Sequence, residues 1–124
     1  MSETREQVTV DDVKRKAPGT VTFLDVRKHA DGEQIRGALR YDQKKLLEAT
    51  NLTLPLPRDG EIVVYCGSGN SCTAVAAKLR EQGYRGAVAL EGGFAAWKVA
   101  DLPTEPVTQE QPIPEEPEAG IHLL

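Results

Sequence analysis

Apolar residues along this chain fall into short unbroken runs, separated by segments in which they recur at helical spacing. Ile62-Val63-Val64-Tyr65 follows the turn-prone Arg58-Asp59-Gly60 and has the pattern of a strand covered on both faces. Val21 to Val26 (VTFLDV) predicts a second strand, ending on the charged residues Asp25 and Arg27, and Ala87 to Leu90 predicts a third. Val8-Thr9-Val10 reads as a short edge strand or cap before a helix over DDVKRKA. That helix stops ahead of Pro18-Gly19, with Val10, Val13 and Ala17 on one face. Cys72, Val75, Ala76 and Leu79 stand at i, i+3, i+4 and i+7, which predicts a helix ending at Gln82-Gly83-Tyr84 with Cys72 on its core-facing stripe. Asp42 caps a helix through Glu48 with Leu46 and Leu47 facing inward, and Glu91-Gly92-Gly93 turns into a helix carrying Phe94 and Trp97. Lys28 to Gly37 is polar and weakly periodic, so a loop with at most one helical turn is expected there, then a brief extended piece over Ala38 to Tyr41. Strands alternating with helices imply an α/β layer architecture around a largely parallel sheet. Sites in such sheets collect at the strands' carboxyl ends, a rule that selects Cys66, Arg27 and the loop after Leu90.

Composition narrows this picture in two places. With 124 residues the chain is long enough for one substantial core and too short for two. The formal net charge of −4 is unevenly placed: residues 104–124 hold five Glu and no Lys or Arg, which leaves the rest nearly neutral. That segment also carries four Pro and no apolar period, so the expected division is a domain over residues 1–103 and an extended or disordered tail over 104–124. Ile121, Leu123 and Leu124 give the tail an apolar end with which to dock on the body or a protein partner. No basic stripe interleaved with aromatics marks a nucleic-acid surface, and no apolar run is long enough for a membrane span. The amino terminus lacks the apolar core of a secretory signal, so a cytoplasmic location is expected, with both cysteines as thiols. Two Cys and two His fall short of a zinc-ligand set, and no metal is expected.

The chemistry concentrates at Cys66, which ends the strand predicted from Ile62 and opens Gly67-Ser68-Gly69-Asn70-Ser71. Gly67 and Gly69 allow a tight turn with close approach of a ligand to backbone, and Ser68, Asn70 and Ser71 suit turning and capping of the following helix. Unpaired N–H groups at a helix start favour a negative charge above them, and a thiolate is such a charge. Lowering a cysteine from about 8.5 to about 6.5 would make the thiolate the majority form at neutral pH, so Cys66 is a candidate nucleophile.

Three blocks carry a family resemblance: LDVR at 24–27, VVYCGSG at 63–69 with the helix ending in QGY, and LEGGFAAWKVADLP at 90–103. Together they resemble a single-domain rhodanese-type sulfurtransferase over roughly residues 6–104. The resemblance implies a three-layer fold with a central, mostly parallel sheet flanked by helices. It also implies that Cys66 takes a sulfane sulfur from a small donor of the thiosulfate or mercaptopyruvate type, holds it as a persulfide, and passes it to cyanide or a thiol. On this reading Gly67, Ser68, Gly69, Asn70 and Ser71 form the anion-binding loop, Asp25 and Arg27 form a supporting charge pair, Phe94 and Trp97 belong to the core, and no cofactor is needed. The chain departs from the family where its loop ends in Ser71 rather than arginine, and where Glu33-Gln34-Ile35-Arg36-Gly37-Ala38 replaces Gly-His-Ile-Pro-Gly-Ala. Three competing readings follow. A phosphatase requires arginine where Cys72 stands. A catalytically weak rhodanese-like module would bind a partner through the tail. A redox switch would join Cys66 to Cys72 in a disulfide, which a core-facing Cys72 opposes unless the helix start unravels.

Overall fold

The computed structural model describes residues 7–16, 19–30, 32–67 and 71–113. In chain order the elements are β1 (Gln7–Val8), α1 (Val10–Lys14), β2 (Val21–Asp25), β3 (Glu33–Ile35), β4 (Leu39–Arg40), α2 (Gln43–Glu48), β5 (Glu61–Tyr65), α3 (Cys72–Glu81), β6 (Gly86–Leu90), α4 (Gly93–Val99) and β7 (Thr104–Pro106). Five strands form one sheet in the order β1-β6-β5-β2-β4, and every pairing in it is parallel. β5 occupies the centre, with Leu24 opposite Val64 on β2 and Val63 opposite Val88 on β6.

Period-two alternation along these strands divides the interior into two cores. Leu24, Val26, Ile62, Val64, Ala87 and Ala89 point to the face covered by Leu46 of α2 and by Cys72, Val75, Ala76 and Leu79 of α3. Val63, Tyr65 and Leu90, with Phe23, point to the opposite face, where Val10 and Val13 of α1 and Trp97 of α4 lie. The result is the expected three-layer α/β arrangement. Both faces of β5 are covered, which is why its sequence is an uninterrupted apolar run rather than an alternation.

Several local expectations change. Thr9 is not strand but the N-cap of α1, in a reciprocal capping box with Asp12. α1 ends at Lys14, and Ala17, expected on its apolar face, lies outside the described residues. In α2 only Leu46 faces the core together with Gln43, three residues before it. Leu47 is exposed because the next residue on a helix is rotated by about 100° off that face. The segment expected as a loop over 28–37 contains β3, and the segment expected as a tail contains β7. These pair antiparallel, with Gln34 opposite Glu105.

Residues 104–113 of the Pro- and Glu-rich segment therefore pack on the body. Glu105 Oε2 accepts from Gln34 Nε2 (2.7 Å) and from the Gly37 amide (3.1 Å). The Thr108 amide donates to Gln34 Oε1 (3.0 Å), Arg40 Nη1 donates to the Thr108 carbonyl (2.8 Å), and Ile113 packs against the α2/α3 core. Fully buried Gln34 thus gains partners on both its amide donor and its acceptor, as a buried polar side chain requires. Residues 114–124, including the apolar end of the expected tail, lie outside the described residues.

Candidate active site

Cys66 follows β5 directly, at the carboxyl end of the central strand. The next turn of chain is held by α4. The Phe94 amide donates to the Cys66 carbonyl (2.8 Å) and the Ala95 amide to the Gly67 carbonyl (3.2 Å). This approach depends on Gly92, which has φ +80 and whose added Cβ would stand 2.7 Å from Ala96 Cβ. The other end of the loop has a second clamp: Gln43 Nε2 of α2 donates to the Ser71 carbonyl (3.2 Å). Gln43 is buried, and sequence reasoning passed over it because its helical period marked it only as polar. Ser68, Gly69 and Asn70 lie outside the described residues. Ser71 was expected to cap α3, but it makes no side-chain cap hydrogen bond. Its backbone is αR (φ −86, ψ −18), not the extended conformation that aims an N-cap hydroxyl at the first turn.

Cys66 is buried at 4% exposure, and Cys72 is fully buried in the same apolar cluster. The Cys72 thiol is hydrogen-bonded to Cys66. That contact first, then burial, then the charge of a Cys66 thiolate, push Cys72 well above the ordinary thiol range.

Asp25 and Arg27 form the pair the sequence suggested. Arg27 Nη2 donates to Asp25 Oδ2 (2.7 Å), Nε donates to both carboxylate oxygens, and the Arg27 amide donates to Oδ1 (3.0 Å). Tyr65 Oη also donates to Asp25 Oδ2 (2.9 Å) while accepting from the Ile35 amide (3.0 Å). Burial first, then the Asp25 charge, hold the Tyr65 phenol protonated far above its usual range. Arg27 Nη2 also donates to the Glu33 carbonyl (2.7 Å), and the guanidinium stacks over Phe94 at 4.3 Å, while Phe94 in turn stacks on Tyr65. The ends of β2 and β5, the start of β3 and the start of α4 are thereby tied to one buried carboxylate. Trp97 is a core residue, its indole N–H on the Pro103 carbonyl (2.9 Å).

A cleft of about 230 Å³ is lined by Arg27, Lys28, Asp42, Gln43, Lys44 and Glu110. Asp42 is occupied as the α2 cap and Glu110 is paired with Arg40 (3.8 Å). Lys28 and Lys44 are exposed and form no ion pair with another described residue. Among the described residues no cluster of His, Cys, Asp and Glu suits a metal, and no helix is long and apolar enough to cross a membrane.

Comparison with known proteins bears on the family and the fold. Residues 9–100 match the family described as Rhodanese-like domain. An uncharacterized protein of Synechocystis sp. is 36% identical over 86 residues, 68% of this chain and 46% of the relative, so the match spans under half of that protein's length. The thiosulfate sulfurtransferase GlpE of Coxiella burnetii is 34% identical over 80 residues, 63% of this chain and 72% of the relative. Among solved structures, the rhodanese-like domain of the Alr3790 protein from Anabaena sp. superposes with a TM-score of 0.68 at 25% identity, covering 92% of this chain and 95% of that one.

Proposed function

Because the chain belongs to the rhodanese-like domain family, we propose that it is a sulfurtransferase that carries sulfane sulfur as a persulfide on Cys66. The observation that carries this reading is the placement of Cys66. It stands at the carboxyl end of the central strand, on a loop whose two ends are fixed by α4 and by Gln43. Fixing both ends of the loop holds the nucleophile in one attack geometry, and Gly67, Ser68, Gly69, Asn70 and Ser71 are the residues proposed to bind the anion.

With a thiosulfate-type donor, the Cys66 thiolate attacks the outer sulfur, the S–S bond breaks, and sulfite leaves with the electron pair. Cyanide or a thiolate then attacks the outer sulfur of the persulfide and returns Cys66 as thiolate. Lys28 and Lys44 at the cleft mouth supply the positive charge that a loop arginine would otherwise bring, which favours a dianionic donor. Asp25 and Arg27 act as positioning residues, since Asp25 accepts from Arg27 and Tyr65 while Arg27 Nη2 bridges Asp25 and the Glu33 carbonyl.

Intact mass after incubation with thiosulfate, and separately with mercaptopyruvate, tests the reading. One added sulfur, mapped to Cys66, removed by cyanide and absent in Cys66→Ala, is the expected result. A folded protein with a reactive Cys66 that gains sulfur from neither donor would replace the enzyme by a partner-binding module.

A further inference from the structure

A core-facing Cys72 is not separated from Cys66, because Cys66 itself belongs to that core. Both side chains lie in the same buried cluster, Cys66 directly after β5 and Cys72 at the first residue of α3, so the two ends of the loop bring two buried thiols into one core. No part of the sulfur-carrier chemistry uses Cys72. We infer that Cys72 is a resolving thiol, which discharges the Cys66 persulfide internally, releasing sulfide and leaving a Cys66–Cys72 disulfide. The inference rests on the reading of Cys66 as a persulfide carrier.

The step balances. The Cys72 sulfur attacks the inner sulfur, Cys66 Sγ, and a new S–S bond forms between the two side chains. The bond from Cys66 Sγ to the outer sulfur breaks, its electron pair leaves with that outer sulfur, and the Cys72 proton goes with it to give HS⁻. The sulfane sulfur is reduced by two electrons and the two thiols are oxidised. A second turnover requires an external dithiol, which has to attack at Cys66, since Cys72 is fully buried.

The environment times this step. While Cys66 is a thiolate, its interaction with Cys72 and its charge are the first and third causes that keep the proton on Cys72. Once Cys66 is bonded to a second sulfur, the negative charge moves outward and both causes weaken, leaving burial as the remaining restraint. Sulfuration of Cys66 thus makes its neighbour a better nucleophile. The adjacent cysteine also has the advantage of proximity over a thiol in solution.

The experiment loads the full chain with sodium tetrasulfide, and in parallel with thiosulfate, under anaerobic conditions. After desalting, free sulfide and intact mass are followed in the wild type, Cys72→Ala and Cys72→Ser, the last keeping the volume near that of cysteine in case alanine fails to fold. The wild type is expected to release one sulfide per chain. Its sulfur adduct should convert to a species two hydrogens lighter than the dithiol, with neither cysteine open to iodoacetamide until dithiothreitol is added. The adduct should survive at least about tenfold longer in the Cys72 variants. Equal adduct lifetimes in all three proteins, with no lighter species, overturn the inference and leave the carrier reading standing. Loading by tetrasulfide and not by thiosulfate, followed by internal discharge, upholds it while removing the thiosulfate donor. A Cys66 that tetrasulfide does not load overturns both.

Discussion

Neutralising Asp25 and Arg27 one at a time and then together separates a buried charge pair from a contact that water already screens. Asp25 is fully buried and Arg27 is 7% exposed, and they meet at 2.7 Å. Asp25→Asn keeps an acceptor for the Tyr65 hydroxyl but strands the guanidinium in the interior. Removing one partner of a buried pair costs about 3–5 kcal/mol. Arg27→Met keeps much of the packing over Phe94 and strands the carboxylate, whose second cation is Arg40 Nε at 3.8 Å. That partial compensation places Arg27→Met at the lower end, about 3 kcal/mol. The double variant carries neither charge, and what it loses is chiefly the hydrogen bond to the Glu33 carbonyl and some fit, about 1–2 kcal/mol. The single losses should therefore exceed the double loss, with a coupling energy above about 2 kcal/mol. In urea unfolding, with a slope of about 2 kcal/mol/M, each single variant lowers the midpoint by about 1.5–2.5 M and the double variant by no more than about 1 M. Losses that simply add in the double variant would refute the claim that the interior makes this pair interdependent.

Three further outcomes are expected. Tyr41, Tyr65 and Cys72 all hold their protons above the ordinary range in the folded protein, whereas the unfolded chain releases them from about pH 9 upward. The unfolded state then binds fewer protons than the native state, so stability is full below that pH and falls as pH rises. The urea midpoint should decline between about pH 9 and 11, less steeply in Tyr65→Phe, and a flat midpoint would contradict the assigned burial. Lys28→Gln with Lys44→Gln should raise KM for thiosulfate several-fold and reduce its salt dependence while Cys66 alkylation proceeds unchanged; an unaltered KM removes the cleft from donor binding. Truncation after Pro103 should lower stability by at least about 2 kcal/mol, because it strips Gln34 of its Glu105 and Thr108 partners and uncovers the docking site of Ile113; an unchanged melting temperature would show that residues 104–113 add nothing to the body.

The layers were legible because burial writes its period into the sequence. β2, β5 and β6 are apolar on both faces, and α3 shows its stripe at Cys72, Val75, Ala76 and Leu79, so element type and order follow from spacing alone. β3 and β7 escaped for the opposite reason. Their pairing is secured by the Gln34 amide, the Glu105 carboxylate and Thr108, and a strand held by buried polar side chains has no apolar alternation to read. A proline-rich, acidic composition measures how little apolar surface a segment has to bury. It does not measure whether its backbone and side chains find fixed partners, and here Arg40 and Gln34 provide them.

At the site, residue types pointed to the nucleophile and the charge pair, but only tertiary contacts reveal how the loop is held. Phe94 and Ala95 act through backbone amides, which carry no side-chain signature, and Gln43 acts through an amide that any solvated helix face might bear. The same distinction explains Cys72. A stripe position says that a side chain points inward, and it says nothing of what waits there. In most cores the answer is another hydrocarbon. Here Cys66, directly after β5, is buried in the same cluster as the α3 stripe, so a side chain facing that core shares it with the candidate nucleophile. On the inference drawn above, a disulfide between them would not require the helix start to unravel first, because both thiols already lie in one buried cluster.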